Sequence, residues 1–435
     1  MKRLLFARCA AAVGCALVLQ FPSAAIAKRQ ETVLHSFAGT PDGASPRAGL
    51  IDVKGTLYGT TSYGGTGKGC SSCGTVFALD PSTGAETTLY SFCTKESRKK
   101  LHGCKDAQTP WASLIDVKGS LYGTAYGYPT PGAVFRVDRR TGAEKVLYSF
   151  CSQWDCADGV DPEASLIDLN GMLYGTTVQG GSNGCPDASI GCGTVFALDP
   201  GTGAETVLHS FCSQQGCTDG AIPDAGLIDV GGTLYSTTPA GGTYDGGTVF
   251  AIDPSTGAET VIYSFCSQQN CADGFSPMGG LINVNGMLYG TTFLGGSGTT
   301  DRHRCHFGCG TVFAIDPSTG AETVVYSFCS QLKGNRCEDG ANPEASLIDA
   351  KGTLYGTTYS GGRYDGCGKT IACGTVFSID PGTGEEKVLH TFCSEPGCAD
   401  GDGPTGSLID VKDVLYGTTF EGGAYNLGTV FAITR

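Results

Sequence analysis

"GLIDVKGTLYGTTSYGGTGKGCSSCGTVFALDPSTGAETTLYSF", residues 49–92, holds four short runs of alternating or β-branched character separated by glycine-rich breaks. The runs "LIDV", "TLYGTT", "GTVFALD" and "ETTLYSF", named a, b, c and d here, have strand length and strand composition. The same order returns along the chain. "LYG" begins at Leu57, Leu121, Leu173, Leu288, Leu354 and Leu415, and "LYS" at Leu234 holds the same place, giving seven copies 52 to 66 residues apart. Self-similarity at such a period marks a repeat architecture.

Counting segments decides how the repeats assemble. Run a begins at Leu50, Leu114, Leu166, Leu227, Leu281, Leu347 and Leu408, and run c at Gly74, Gly132, Gly193, Gly247, Gly310, Gly374 and Gly428. Run d follows run c only six times, ending at Phe92, Phe150, Phe211, Phe265, Phe328 and Phe392. The seventh d is "ETVLHSF" at 31–37, ahead of the first a, and the chain ends on "GTVFAITR", a c with no d after it. An open solenoid would need capping ends. A strand orphaned at one end with its complement missing at the other predicts closure: an all-β, seven-bladed β-propeller of four-stranded blades, the N-terminal strand pairing with the C-terminal blade.

The turns agree. "VKGTL", "LNGML" and "VGGTL" between a and b are two-residue hairpin signals, and "DPSTGAE" between c and d sets a fixed φ with Pro and a positive one with Gly. These near-identical turns share one face of the ring. The b–c and d–a loops share the other, and they vary in length and content, so recognition is expected there.

The N terminus, "MKRLLFARCAAAVGCALVLQFPSAAIAKRQ", reads as a secretory signal over 1–27, leaving 28–435 as one propeller domain. Its apolar stretch is shorter than the ~20 residues a membrane span needs. Removing Lys2, Arg3 and Arg8 with no acid takes the formal net charge from −14 to −17. Such an acidic, exported chain, periplasmic or extracellular, is ill suited to nucleic acid or an anionic membrane surface. We expect a monomer whose partner is a glycan, a protein or a cation.

Cys9 and Cys15 fall in the signal, and the other twenty cysteines all fall in second-face loops. Six pairs occupy d–a loops: Cys93/Cys104, Cys151/Cys156, Cys212/Cys217, Cys266/Cys271, Cys329/Cys337 and Cys393/Cys398. Four occupy b–c loops: Cys70/Cys73, Cys185/Cys192, Cys305/Cys309 and Cys367/Cys373. Repeats lose cysteines two at a time, as a disulfide within one loop requires. Zinc is the competing reading, chiefly for His303, Cys305, His306 and Cys309. Export and the lack of a matching second pair near most of these loops favour disulfides.

Asp42, Asp106, Asp158, Asp219, Asp273, Asp339 and Asp400 each stand four residues before a proline. The plain reading is an Asx-type turn leading into strand a. The sharper one is a ring of carboxylates around the channel mouth, binding Ca²⁺ or another cationic ligand. No further cofactor is indicated. No loop offers a nucleophile–base or paired-carboxylate motif, and His35, His209 and His390 stand where other repeats have Tyr in strand d.

"ALDPSTGAET" resembles the A-x-D-x-x-T-G part of quinoprotein-type propeller blades, without the docking Trp. The whole unit, with "LYGTT", "GG" and "GTVFALDPSTG" recurring in order over 31–435, resembles the GloVer tandem repeat of bacterial surface and exported proteins. That resemblance implies an exported repeat protein and carries no established activity. The expected function is a non-catalytic binding or scaffold propeller. The alternative is a secreted hydrolase or lyase acting on polysaccharide at the channel mouth, which a cluster of polar residues unique to single blades would favour.

Overall fold

The computed structural model describes residues 31–67, 73–94, 104, 106–127, 131–182, 191–298, 305, 307–334, 336–363 and 373–435. The segment 1–27, expected from the sequence to be a secretory signal, lies outside them. Seven four-stranded antiparallel sheets form the ring. In the first blade Ile51–Val53, Thr56–Thr61, Thr75–Leu79 and Glu86–Ser91 pair in the order a-b-c-d. The seventh blade takes its d from the start of the chain: Glu31–Ser36 lies antiparallel to Thr429–Thr434, with Glu31 opposite Ile433 and Ser36 opposite Thr429. The orphan strand therefore closes the ring.

Strands a of adjacent blades, the first and seventh included, approach one another, which makes a the innermost strand and d the outermost. The core lies between blades. The Phe that ends each strand d packs edge-on against the Phe of strand c in the next blade, from Phe37–Phe77 at 5.2 Å between ring centroids to Phe392–Phe431 at 5.0 Å. These rings are fully buried, and each such pair is worth about 1 kcal/mol beyond its buried area.

The glycine of "LYG" makes room for that ring, because a Cβ at Gly59 would stand 2.6 Å from Phe77 Cζ. The fourth blade carries Ser236 instead, whose hydroxyl donates to the carbonyls of Ala225 and Gly226. A second inter-blade tie runs from strand b. Thr60 Oγ1 donates to the carbonyl of Ala112, Thr124 Oγ1 to Ala164 and Thr418 Oγ1 to Ala48, each in the next blade around.

On the turn face, Lys54 and Gly55 both take positive φ, 58° and 87°, as a tight hairpin demands, and Asp52 accepts from the Gly55 amide. On the loop face the structure pairs Cys93–Cys104, Cys151–Cys156, Cys212–Cys217, Cys266–Cys271, Cys305–Cys309, Cys329–Cys337 and Cys393–Cys398. Cys73, Cys192 and Cys373 are also disulfide-bonded, while Cys70, Cys185 and Cys367 lie outside the described residues.

One premise from the sequence needs correction. A second cysteine pair does stand beside some of these loops, because folding brings the b–c loop of a blade against its d–a loop. The sulfurs of Cys309, Cys329 and Cys337 lie within 4.8 Å of one another, as do those of Cys73, Cys93 and Cys104. Sequence distance hid this neighbourhood. His303 and His306 lie outside the described residues, and Cys305 and Cys309 are bonded to each other.

Candidate functional site

The seven repeated aspartates are held by strand d, at the outer side of the loop face, and none of them lines the cavity at the channel mouth. Tyr90 Oη donates to Asp106 Oδ2 at 2.5 Å, Tyr148 to Asp158 at 2.8 Å, Tyr263 to Asp273 at 2.9 Å and Tyr326 to Asp339 at 2.8 Å. His35, His209 and His390 stand in for Tyr, placing Nε2 3.1, 3.3 and 3.2 Å from Asp42, Asp219 and Asp400. In most blades the same carboxylate also gathers the cysteine loop. Asp158, for example, accepts from the Ser152 amide, the Ser152 hydroxyl and the Gln153 amide.

Burial pushes the Asp158 carboxyl up, but the hydrogen bonds from Ser152, Tyr148 and Gln153 outweigh it and hold the group below its ordinary value. Asp42, Asp219 and Asp400 are lowered in the same way, burial again being outweighed by hydrogen bonds led by those from His35, His209 and His390. The aspartate organises the turn and the disulfide loop at once.

A second carboxyl shares each of these junctions. Strand d of the next blade begins with Glu, and Tyr148 Oη reaches Glu205 Oε2 at 3.3 Å as well as Asp158. Burial first and the neighbouring aspartate second push Glu205 up to about 7, with Asp158 the neighbour, and Glu386 up to about 8, with Asp339. Glu31 is pushed to about 8 by burial, Asp400 and Glu395. Folding thus sets an aspartate and a glutamate with a raised carboxyl against each other across the blade boundary. Sequence reading missed the glutamates because their partners belong to the preceding repeat.

The channel mouth is built from another column of the repeat. The proline four residues after each aspartate packs on the glycine that opens strand c of the preceding blade; a Cβ on Gly74 would lie 2.7 Å from Pro110 Cδ. The threonine ties from strand b grip the chain two residues after that proline. The residue between is thereby presented to the axis, and it differs almost everywhere: Arg47, Trp111, Glu163, Asp224, Met278, Glu344 and Thr405. They rim a cavity of about 120 Å³ whose walls below are glycine, alanine and serine.

The rim is bipolar. On one arc Arg47 lies between Trp111 and Phe420, its guanidinium 4.7 and 4.3 Å from their ring centroids, and Trp111 stacks on Tyr126 at 4.7 Å with 5° between planes. On the other arc stand three carboxyls. Burial, then repulsion from Glu163 and Glu344, pushes Asp224 well above its ordinary value. Burial and Asp161 push Glu163 to about 7 against the pull of Arg47, and burial pushes Glu344 to about 7 against the same pull. Arg47 Nε, Trp111 Nε1 and Asp224 Oδ1 are all buried without a hydrogen-bond partner. Orphaned buried donors and acceptors are rare in folded proteins and call for an explanation at each site.

Models of known repeats bear on what this architecture is. A model of the Gloeobacter/Verrucomicrobia repeat matches four times, over residues 23–187, 94–303, 153–368 and 298–435. The chain belongs to that repeat family. No curated protein is detectably similar to this repeat-family chain in sequence. Among solved structures it is similar to an oligogalacturonate lyase in complex with manganese, at 14% identity over 93% of both chains with a TM-score of 0.53. It is also similar to an oligogalacturonate lyase from Vibrio parahaemolyticus, at 10% identity over 94% of both chains with a TM-score of 0.51. At these identities the likeness is one of fold. Among the described residues, no helix is long and apolar enough to cross a membrane.

Proposed function

We propose that this repeat-family chain is an exported binding propeller whose ligand is engaged at the asymmetric channel mouth and the loop face around it. The carrying observation is the rim: in a chain that repeats itself so closely, one column on the functional face takes nearly a different residue in every blade, and three of its polar atoms are buried without partners. The disulfide-braced loops support export into an oxidising compartment and a rigid recognition face. The structural aspartates support that face from behind, since their acceptor positions are largely taken by the loop itself.

A polysaccharide hydrolase or lyase is the second reading. It is favoured by Glu163 and Glu344 at about 7, values suited to a general acid, among residues unique to single blades. Both readings rest on the same rim, and they part on whether a bound glycan is returned intact.

The test is a thermal melt of the oxidised protein with Ca²⁺, neutral and acidic oligosaccharides and basic peptides, followed by product analysis of each glycan. A ligand-dependent rise in Tm that Arg47→Ala or Asp224→Asn abolishes, with every glycan recovered intact, is the expected result. A shortened or unsaturated glycan would replace binding with catalysis.

A further inference from the structure

Resting on the reading of the mouth as a binding site, we propose that it receives a primary ammonium on an unbranched stem, the lysine side chain of a protein partner. The three carboxyls of Glu163, Asp224 and Glu344 come from three blades and face one cavity, and Asp224 Oδ1 is buried there without a donor. An ammonium has three N–H donors and no acceptor, so it answers the unpartnered Asp224 oxygen and presents no lone pair to the neighbouring carboxyls.

A bare metal ion fits less well. Donor atoms of several described clusters gather within 4.8 Å of one another, but the three mouth carboxyls are not among those clusters. An anionic ligand meets three carboxyls and a single cation, Arg47, that is already sandwiched between two aromatic rings. The glycine, alanine and serine walls below the rim leave room for an unbranched stem to lie along them. The opposite arc of the same rim carries two further unpartnered donors, Arg47 Nε and Trp111 Nε1.

The surrounding surface selects a protein as the bearer of that ammonium. The large exposed apolar side chains, Trp154 at 94%, Tyr425 at 62%, Tyr244, Phe307 and Leu332, all lie in b–c or d–a loops, on the face where the mouth opens. Exposed aromatic residues on a rigid support are the side chains that dominate protein interfaces.

The chain has two tryptophans, so in a Trp154→Phe background the fluorescence of Trp111 reports on the mouth alone. That oxidised protein is titrated with a short lysine-containing peptide, the same peptide with an acetylated lysine amine, 1,5-diaminopentane and a neutral oligosaccharide. Saturable change with the lysine peptide is expected, with affinity at least tenfold weaker for the acetylated peptide and in Asp224→Asn and Glu344→Gln. Melts of both variants show that they fold. Diaminopentane binding as tightly as the peptide would assign the ammonium to a free polyamine and overturn the protein partner. A response to the oligosaccharide alone would overturn the ammonium and leave the mouth a binding site; no response to any probe would overturn both.

Discussion

Stability falls as pH rises from about 5 to about 9, because of the glutamates that bridge the blades. Glu31 and Glu386 stand at about 8 and Glu205, Glu259 and Glu322 at about 7 in the folded chain, against an ordinary 4.5. A carboxyl raised in this way holds its proton more tightly in the fold than in the unfolded chain. Its contribution is therefore whole below pH 4.5 and is lost as pH climbs through 7 to 8. A fully sheltered group with such a difference would contribute about 3 to 5 kcal/mol. These side chains are partly open to solvent, and screening brings each to on the order of 1 kcal/mol. Together the five lower Tm by roughly 5–10 °C across that range. The aspartates act at the other end: Asp42, Asp158, Asp219 and Asp400 are held below 3.8, so their contribution disappears as pH falls below that value. Maximum stability lies between, near pH 4 to 5. Melts by circular dichroism at constant ionic strength measure the slope, and Glu205→Gln with Glu386→Gln should flatten it and raise Tm at pH 8.5 while leaving pH 5 nearly unchanged. A wild-type profile flat from pH 5 to 9, or glutamine variants that keep the wild-type slope, would refute the argument.

Three further outcomes are expected. Phe135→Ala empties the junction of the first two blades and should cost about 3–5 kcal/mol, read as a fall in denaturant midpoint; a loss under 1 kcal/mol would mean the blades do not depend on the phenylalanine pairs. Gly59→Ala should also destabilise, since its Cβ would stand 2.6 Å from Phe77 Cζ and 2.8 Å from Leu50 Cδ2, whereas Ser236→Gly should be tolerated. Reduction should lower Tm by removing short-loop bridges worth about 2 kcal/mol each, yet leave the far-UV β signal at room temperature, because every described bridge closes within one loop.

The ring was readable from a mismatch of ends: "ETVLHSF" at 31–37 has no strand c before it, and Thr429–Thr434 has no d after it. The cysteine loops were readable because their partners are near in sequence. The function of the Asp158 column was half readable. Its spacing to Pro162 announces a turn, but the d–a loop runs from the rim of the ring to its axis, and nothing in a linear pattern says that the aspartate sits at the outer end and Glu163 at the inner. The mouth residues left a signal of an unusual kind, a column that varies beside a proline that does not. Trp111 is one of only two tryptophans in the chain, but its neighbours Arg47, Asp224 and Glu344 are ordinary polar residues until the blades are laid around a common axis. The bridges between Glu205 and Asp158 were hidden for a related reason, since they join different repeats.

Closure by the first strand also orders events in time. Glu31–Ser36 pairs with Thr429–Thr434, so this strand must wait for one made some four hundred residues later. At 5–20 residues per second, synthesis of the intervening chain takes roughly 20 to 80 s. For all of that interval strand c of the seventh blade does not exist, and the outer strand carries a naked edge. An unpaired strand edge invites pairing with other chains, so until Thr429–Thr434 is in place the closing strand is the part of the ring most open to aggregation.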